Sequence, residues 1–323
     1  MLADLKFLSG AVARKDYVAE LCHFTIYDGR AGSHDGLLSM STPISLGLDV
    51  TPHATTMMKA IAACDDDKTL SLHVTPAGKL AIKSGAFRTY VNCLPNDTRV
   101  EQPMPEGDTL PVAPTLMDAI KALAPFMSVD ASRPWSQGLY IRENSAFATN
   151  NIILAEYWHG SAFPHDVILP ADAVAQLLKA KTPPIAAQVS PSSATFHFEG
   201  ERWMRTQLVD QAYPFDKLQT ILGRAASPQE LTPSFFEALA KLKPFVDEQA
   251  GVRIYPDRVT TSDAGDQTGS TVEVEVAGGN GHFNVNQLLL LEDVASAVDW
   301  LTHPAPCYWQ GKRMRGVIIG RND

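Results

Sequence analysis

The sequence repeats one arrangement of predicted elements three times, and this repeat constrains the fold more than any other feature. Each third begins with a stretch in which apolar residues recur every three or four positions, and a second such stretch follows about 50 residues later. The first stretches of the three thirds start about 110–120 residues apart. The predicted helices are 2–15, 52–63, 115–127, 171–181, 233–245 and 285–301.

Between the predicted helices the sequence alternates apolar and polar residues, which indicates strands with one face on a core. A glycine turn at Gly85 in the first third, and at Gly200 in the second, separates two such strands. The cluster 278–281 stands between the alternating run 272–276 and the apolar run 283–285, and we interpret it as a hairpin turn rather than a phosphate cradle. The sequence therefore predicts an α+β protein of three similar domains. Their boundaries are 1–108, 109–226 and 227–323.

Composition and charge exclude several classes of protein. The 323 residues include 27 Lys and Arg against 36 Asp and Glu, a net charge of −9, which argues against a chain that coats nucleic acid with its whole surface. The longest apolar runs are far shorter than the ~20 residues of a membrane span. Four widely spaced cysteines, with no Cys-x-x-Cys, indicate a reducing compartment and no zinc module. We therefore expect a cytoplasmic protein without a membrane segment.

No sequence signature of catalysis is present. The chain lacks the phosphate-binding glycine loops, the nucleophile elbow and the His-Glu-x-x-His motif, and its nine histidines have no metal-ligand spacing. We therefore expect no enzyme activity, no cofactor and no metal. The alternative is a cytosolic α+β enzyme whose site is assembled from scattered residues such as Asp263, Asp266, His165 and His197.

Four short segments follow one another in an order that one protein family shares. They are Ala-Thr-Asn-Asn-Ile-Ile-Leu-Ala at 148–155, Val-Ile-Leu-Pro at 167–170, Leu-Val-Asp-Gln-Ala-Tyr-Pro at 208–214 and Phe-Asn-Val-Asn-Gln-Leu at 283–288. With these segments the chain resembles the bacterial-type DNA polymerase sliding clamps, the β subunits of the polymerase III holoenzyme, in a divergent or phage-encoded form. Two departures affect the parts that bind partners in that family. Residues 151–153 replace its Gly-His-Arg turn, and 316–321 replace its Met-Pro-Met-Arg tail.

The resemblance implies a fold and a function. It implies three clamp domains with helices lining a central channel and sheets outside, and two chains closed head-to-tail into a homodimeric ring around duplex DNA. Such a processivity factor binds DNA without reading its sequence and tethers the DNA polymerase and the clamp loader through short peptides. It acts in DNA replication, in the cytoplasm of a bacterium or of an infected host, without catalysis.

The charge pattern agrees in sign with a DNA-facing helical wall. The six predicted helices contain nine basic and seven acidic residues, a net charge of +2, which leaves −11 for the rest of the chain. The helix dipole offers a second explanation, because acids stand early and lysines late in several of these helices. The residues assigned to DNA contact are Lys6, Arg14, Lys15, Lys59, Lys121, Arg133, Trp135, Lys179, Lys181, Lys241 and Lys243.

Two of these predictions leave alternatives open. Trp135 fits either a loop tip that contacts DNA or an aromatic core position under the sheet. The family's peptide pocket, carried over by position, involves Thr149, Asn151, Ile152, Leu154, Pro214, Leu218, Ile318 and Ile319. Taken singly, Ile152, Leu154 and Ile319 are more typical of a plain core, and only their convergence on one surface cleft favours a pocket.

Overall fold

The computed structural model describes residues 1–15, 17–262 and 268–322. The chain divides into two compact units, one of Met1–Pro114 with Ala175–Leu208 and the other of Thr115–Val174 with Val209–Asp323. The three predicted domains, 1–108, 109–226 and 227–323, remain a prediction.

Seven α-helices occur in the described residues. They are α1 (Leu2–Leu8), α2 (Ala54–Ala62), α3 (Thr115–Leu123), α4 (Ala171–Lys179), α5 (Phe215–Leu222), α6 (Pro233–Leu242) and α7 (Val285–Leu289). Short 3₁₀ turns at Ser9–Ala11, Ala124–Phe126 and Lys243–Phe245 follow α1, α3 and α6. Side-chain caps help to fix two helix starts, since His53 accepts from the amide of Thr56 and Asn284 accepts from those of Asn286 and Gln287.

Two of the predicted helices are much shorter in the structure, and one helix was not predicted. The helix predicted over 2–15 ends at Leu8. The helix predicted over 285–301 ends at Leu289, because Ala297–Val298 forms a strand in which Val298 pairs with Trp309. Burial in a sheet thus overrides a helical apolar spacing. Helix α5 follows Pro214, a position where the sequence analysis placed only pocket residues.

The described residues form 24 strands. They are β1 (Thr25–Tyr27), β2 (Arg30–His34), β3 (Leu38–Pro43), β4 (Thr51–Pro52), β5 (Leu70–Val74), β6 (Leu80–Ser84), β7 (Phe87–Val91), β8 (Cys93–Leu94), β9 (Asp108–Pro111), β10 (Gly138–Arg142), β11 (Ser145–Thr149), β12 (Ile153–Trp158), β13 (Val167–Pro170), β14 (Ala186–Val189), β15 (Ser193–Phe198), β16 (Arg202–Gln207), β17 (Gln229–Glu230), β18 (Gly251–Tyr255), β19 (Arg258–Thr261), β20 (Thr271–Glu273), β21 (Gly281–Asn284), β22 (Ala297–Val298), β23 (Cys307–Gln310) and β24 (Met314–Ile318).

The unit that contains the N-terminus is built on an antiparallel sheet of seven strands in the order β1-β2-β3-β16-β15-β14-β9. Strands of the first and the second predicted domain meet in this sheet at β3 and β16, where Ser39 lies opposite Arg205. A second sheet has the order β5-β6-β7. Helix α1 packs on α2 and β3, and Leu5, Leu8 and Met57 are fully buried there.

The other unit contains an antiparallel sheet of eight strands in the order β13-β10-β11-β12-β24-β23-β22-β17. Strands of the second and third predicted domains meet in it at β12 and β24, where Leu154 lies opposite Val317. Helix α3 packs on β11 and β12, and Trp300 and Trp309 are almost completely buried. The second sheet has the order β20-β19-β18-β21, so β20 and β21 are at opposite edges. The hairpin predicted around 278–281 was therefore wrong.

The three predicted domains share one order of elements. In each, the first helix ends in a 3₁₀ turn and leads into a hairpin with a two-residue loop, at 28–29, 143–144 and 256–257. A short strand then leads directly, or after one residue, into the second helix, as β4 precedes α2, β13 precedes α4 and β21 precedes α7. The repeat inferred from apolar spacing thus has a counterpart in the element order.

Candidate functional site

One face of the eight-stranded sheet carries a large aromatic cluster beneath helix α5. The chain reaches this face after β16, where the amide of Val209 donates to the carbonyl of Ile168 at 3.0 Å. Pro214 is the N-cap residue of α5, whose Phe215, Leu218 and Leu222 stand at helical spacing and pack on the sheet. The buried members of the cluster are Tyr140, Phe147, Leu154, Ile168, Leu222 and Val317, and the half-buried members are Trp135, Val209, Tyr213, Phe215, Leu218, Ile221 and Tyr308.

Ring contacts fix the position of the segment that leads into α5. Tyr213 stacks on Tyr140 with centroids 4.1 Å apart and an interplanar angle of 7°, and Trp135 meets Tyr213 edge-on at 5.4 Å. Phe215 lies 5.5 Å from Phe147 in an edge-to-face arrangement. Such pairs are worth about 0.5–1.5 kcal/mol each beyond the area they bury. The cluster therefore holds α5 against the sheet.

Two phenols of the cluster stay protonated over the whole physiological range. Tyr140 donates its hydroxyl hydrogen to Asp166 at 2.7 Å, and burial, followed by that carboxylate, raises the pKa of Tyr140 well above its ordinary value. Burial also raises the pKa of Tyr213, whose hydroxyl has no hydrogen-bond partner among the described residues. The Arg142 guanidinium lies over the Phe215 ring at 4.1 Å. The floor of the site is thus apolar and uncharged, with a cation at its edge.

Most residues of the predicted peptide pocket lie in or beside this cluster. Leu154 and Leu218 belong to it, and Pro214 is the N-cap residue of α5. In the turn before β12, the hydroxyl of Thr149 accepts from the amide of Asn151, whose φ of +70° is the left-handed conformation that asparagine tolerates. Ile152 follows in the same turn.

Two isoleucines of the predicted set form an exposed apolar ledge. Ile152 is 37% exposed and Ile319 is 45% exposed, and the amide of Ile319 donates to the carbonyl of Ile152 at 2.9 Å. Ile318 does not belong to the pocket. Its partner across the strands is the fully buried Ile153, so both side chains point to the opposite face of the sheet, and Val317 lies on the pocket face instead. The prediction for Ile318 was wrong by one residue because strand side chains alternate between faces.

Two residues assigned to DNA contact lie with the aromatic cluster instead. Trp135 packs on Tyr213, so the alternative of an aromatic core position is the one that the structure supports. Arg133 is exposed and donates to the Asn151 side chain at 2.7 Å, which ties it to the turn that bears Ile152. The arginine and the tryptophan therefore help to build the rim and the wall of the candidate pocket.

The other cations assigned to DNA contact are all exposed. Five of them lie within helices, and each of α1, α2, α3, α4 and α6 carries one. These residues are Lys6, Lys59, Lys121, Lys179 and Lys241. Arg14, Lys15, Lys181 and Lys243 follow the helix ends, and Lys15 lies 5.7 Å from the ring of Tyr17. With the described residues, none of these nine side chains forms an ion pair.

The charge of the helices is smaller than the sequence predicted. Within their observed bounds the six predicted helices contain five basic and four acidic residues, a net charge of +1 rather than +2. Beyond the observed bounds lie four of the predicted cations and three acids, Glu292, Asp293 and Asp299, so the other unit of positive charge lies outside the helices.

Other features of the described residues bear on function. No described helix combines the length and the apolar character that a membrane crossing requires. No three His, Cys, Asp or Glu side chains come together in the described part of the chain in a way that would hold a metal ion. Of the residues in the alternative enzyme hypothesis, His165 is exposed in one unit, while His197 belongs to the other and bonds Gln188 at 2.6 Å. Asp263 and Asp266 lie outside the described residues.

Comparison with known proteins supplies the fold. No protein-family model matches the chain, and no curated protein matches it. Solved structures do: the DNA polymerase sliding clamp of Bacillus subtilis (TM-score 0.84, 14% identity), a Helicobacter pylori beta clamp bound to a DNA ligase peptide (0.82, 18%) and the DNA polymerase sliding clamp of Pseudomonas aeruginosa with a ligand (0.86, 17%). Each match covers 100% of this chain and 97% of the other. At these identities the likeness establishes the α+β fold that the sequence predicted, and this chain has the fold of bacterial sliding clamps over its whole length.

Proposed function

We propose that this protein is a DNA sliding clamp, a processivity factor that encircles duplex DNA and tethers a replicative polymerase. The observation that carries the proposal is the match to sliding clamps over the full length of the chain, with TM-scores of 0.82–0.86. The proposal covers the three-domain division, two chains closed head-to-tail into a ring, and a central channel lined by helices. It assigns no catalytic step to the chain.

The mechanism is topological. A closed ring cannot leave DNA sideways, so a bound polymerase stays on its template although the ring grips the duplex weakly. The exposed lysines Lys6, Lys59, Lys121, Lys179 and Lys241 would face phosphates through water, with their charge free for DNA. A net helix charge of only +1 is compatible with this role, because each phosphate contact adds affinity and a closed ring needs little affinity to stay on the duplex.

The aromatic cluster under α5 is the proposed tether for partners. A relative from Helicobacter pylori was solved with a DNA ligase peptide bound, and the same kind of contact is proposed here for short peptides of the polymerase and the clamp loader. Leu154, Leu218 and Val317 would receive aliphatic or aromatic anchors, while Ile152 and Ile319 extend the apolar contact. A few such anchors carry most of the binding energy of a peptide in a groove.

Retention on circular DNA tests the topological mechanism. The protein is loaded on a nicked circular plasmid with a bacterial clamp loader and ATP, and the complex is separated by gel filtration in salt. We expect co-elution with the circle, release after a single restriction cut, and retention when both ends of the linear DNA carry bulky protein blocks. Co-elution that survives linearisation of unblocked DNA would show ordinary charge-based binding and contradict the proposal.

Two further measurements test the assembly and the tether. In sedimentation at micromolar concentration, we expect a species of twice the chain mass of 35.1 kDa, and a monomer alone contradicts the ring.

A fluorescent peptide of the DNA ligase type should bind the protein, and its affinity should fall about tenfold or more with Leu218→Ala, since that change removes a groove anchor. The matched control is Ile185→Ala, an exposed apolar residue of the other unit, which should leave peptide affinity unchanged.

A further inference from the structure

The loop between β23 and β24, residues 311–313, has a recess on each side, and both recesses lie within one compact unit. The helix-side recess, of about 530 Å³, is lined by residues of α3 such as Lys121 and by Lys312 and Arg313 of the loop. The sheet-side recess, of about 640 Å³, is lined by Trp158, Tyr308 and the same two cations. Both volumes fall in the range of ligand-binding clefts. The loop cations thus face both recesses.

Trp158 lies exposed in the sheet-side recess. It ends β12 and is 53% exposed, although a tryptophan side chain gains more than most others from burial. Arg313 lies over its ring at 5.0 Å from the centroid and fixes the plane of the indole. Arg313 thus covers one face of the indole, and the exposure of the side chain leaves the rest of the ring open to solvent for stacking.

The sheet-side recess is positively charged on a chain whose net charge is −9. Glu156 and Arg315 neutralise each other, at 2.6 Å, with the Glu156 side chain only 13% exposed. Lys312 and Arg313 are exposed and form no ion pair with any described residue. Two cations beside an open indole are therefore left for an anionic ligand.

We propose that the sheet-side recess binds single-stranded DNA, with a base stacked on Trp158 and its flanking phosphates held by Lys312 and Arg313. Aromatic stacking next to unpaired cations is how single strands are bound without sequence preference, and duplex DNA cannot use it because its bases are stacked on one another. The same two cations also line the recess that contains Lys121, a residue proposed above to face duplex DNA. A strand that leaves the duplex would thus pass over the loop to Trp158; this path, unlike the binding itself, rests on the proposed function.

Fluorescence anisotropy with a labelled 12-nucleotide oligo-dT tests the site, with quenching of Trp fluorescence as a second readout. We expect Trp158→Ala to weaken binding about tenfold or more, and Trp158→Phe to retain part of the affinity. The double variant Lys312→Glu with Arg313→Glu should also weaken it. It should lower the slope of log affinity against log salt by about 1.4, because two phosphate contacts at about 0.7 each are lost. The charge-matched control is Lys79→Glu with Lys83→Glu, two exposed lysines of the other unit, which should leave affinity near that of the unmodified protein.

Two outcomes overturn the inference. One is oligo-dT binding that Trp158→Ala leaves unchanged. The other is that the unmodified protein binds no oligo-dT but binds a poly-Glu peptide tightly, which would make the surface a docking site for an acidic protein. Retention on circular duplex is measured in parallel for every variant. Loss of oligo binding with normal retention supports the inference, whereas failure of the unmodified protein to be retained concerns the proposed function alone.

Discussion

The two large sheets are built alike but covered differently. Each joins strands of two successive predicted domains, at β3 and β16 in one sheet and at β12 and β24 in the other. The last residues of the first predicted domain, 99–107, cross its sheet as an extended strap. Near the end of the second predicted domain the chain forms the amphipathic helix α5 instead.

The strap forms hydrogen bonds with groups of its sheet. The Gln102 amide donates to the carbonyls of Met40 at 2.7 Å and Ser33 at 3.2 Å. Glu106 accepts from Arg205 at 3.1 Å, and the Arg205 side chain is only 9% exposed. Helix α5 instead packs on the aromatic cluster, beside which Ile152 and Ile319 remain exposed. A strap held by side-chain hydrogen bonds thus closes its sheet, whereas an amphipathic helix leaves a surface beside it on which an apolar ligand gains free energy.

Removal of a ring that α5 covers should give the largest effect. Phe147→Ala deletes a ring that is 2% exposed and contacts both Tyr140 and Phe215. We expect a loss of about 3–5 kcal/mol in unfolding free energy, because a large buried ring leaves a cavity. Denaturant unfolding, with hydrogen exchange of β11 and β12, measures it. Phe147→Leu is the milder control, and equal losses for both variants would contradict a packing origin.

Removal of the acid from the strap should give the second largest effect. In Glu106→Ala the buried Arg205 loses its carboxylate partner, and we expect a loss of about 1.5–3 kcal/mol, the value of a hydrogen bond to a charged group. The exposed Glu101 of the same strap supplies the matched control, since Glu101→Ala removes the same charge without a partner. If both variants unfold at the same denaturant concentration, the strap does not stabilise the sheet.

A smaller effect should come from closing the space that the strap occupies. A Cβ added at Gly32 would clash with the side-chain amide of Gln102, so Gly32→Ala must displace the amide that makes the two hydrogen bonds. We expect a loss of about 1–2 kcal/mol. The double variant Gly32→Ala with Gln102→Ala should be no less stable than Gln102→Ala alone. Full additivity of the two single losses would mean that they act independently.

The sequence predicted the repeated element order well, because apolar spacing and glycine turns are local signals. It failed where a partner distant in sequence decides the conformation. Val298 continues a helical apolar stripe, but its pairing with Trp309 makes it part of a strand. The position of Ile318 depended on knowing the first residue of β24, since a shift of one residue reverses the face.

The strap and α5 escaped the sequence analysis for different reasons. The strap mixes polar residues with Val100, Met104 and two prolines without periodicity, and the partners of Gln102 and Glu106 are 62–99 residues away. Helix α5 has a clear amphipathic pattern in Phe215, Leu218 and Leu222, so a search for helices beyond the threefold repeat would have found it. The aromatic cluster could be found only in part, because it joins residues of six strands and a helix.

The smallest effect concerns the phenol of Tyr213, next to α5. It sharpens the contrast between the strap, whose polar side chains are hydrogen-bonded, and the aromatic cluster, in which a buried hydroxyl is not. The buried hydroxyl of Tyr213 has no partner among the described residues, so Tyr213→Phe loses no hydrogen bond. The unfolding free energy at pH 7 should therefore change by less than about 0.5 kcal/mol, or rise.

The same change should also alter the pH dependence of stability. Burial raises the pKa of Tyr213 in the folded protein, while in the unfolded chain the pKa returns to about 10. The folded state therefore binds more protons above pH 10, and its stability falls there by up to about 1.4 kcal/mol per pH unit for this group. Tyr213→Phe removes this contribution, so the variant should gain on the unmodified protein as pH rises from 9 to 11 in denaturant melts. Tyr17→Phe, at an 85% exposed position, is the control that should show no gain. Parallel pH dependence of Tyr213→Phe and the unmodified protein would mean that the hydroxyl reaches solvent, and that the apolar cover is open where its rings are stacked.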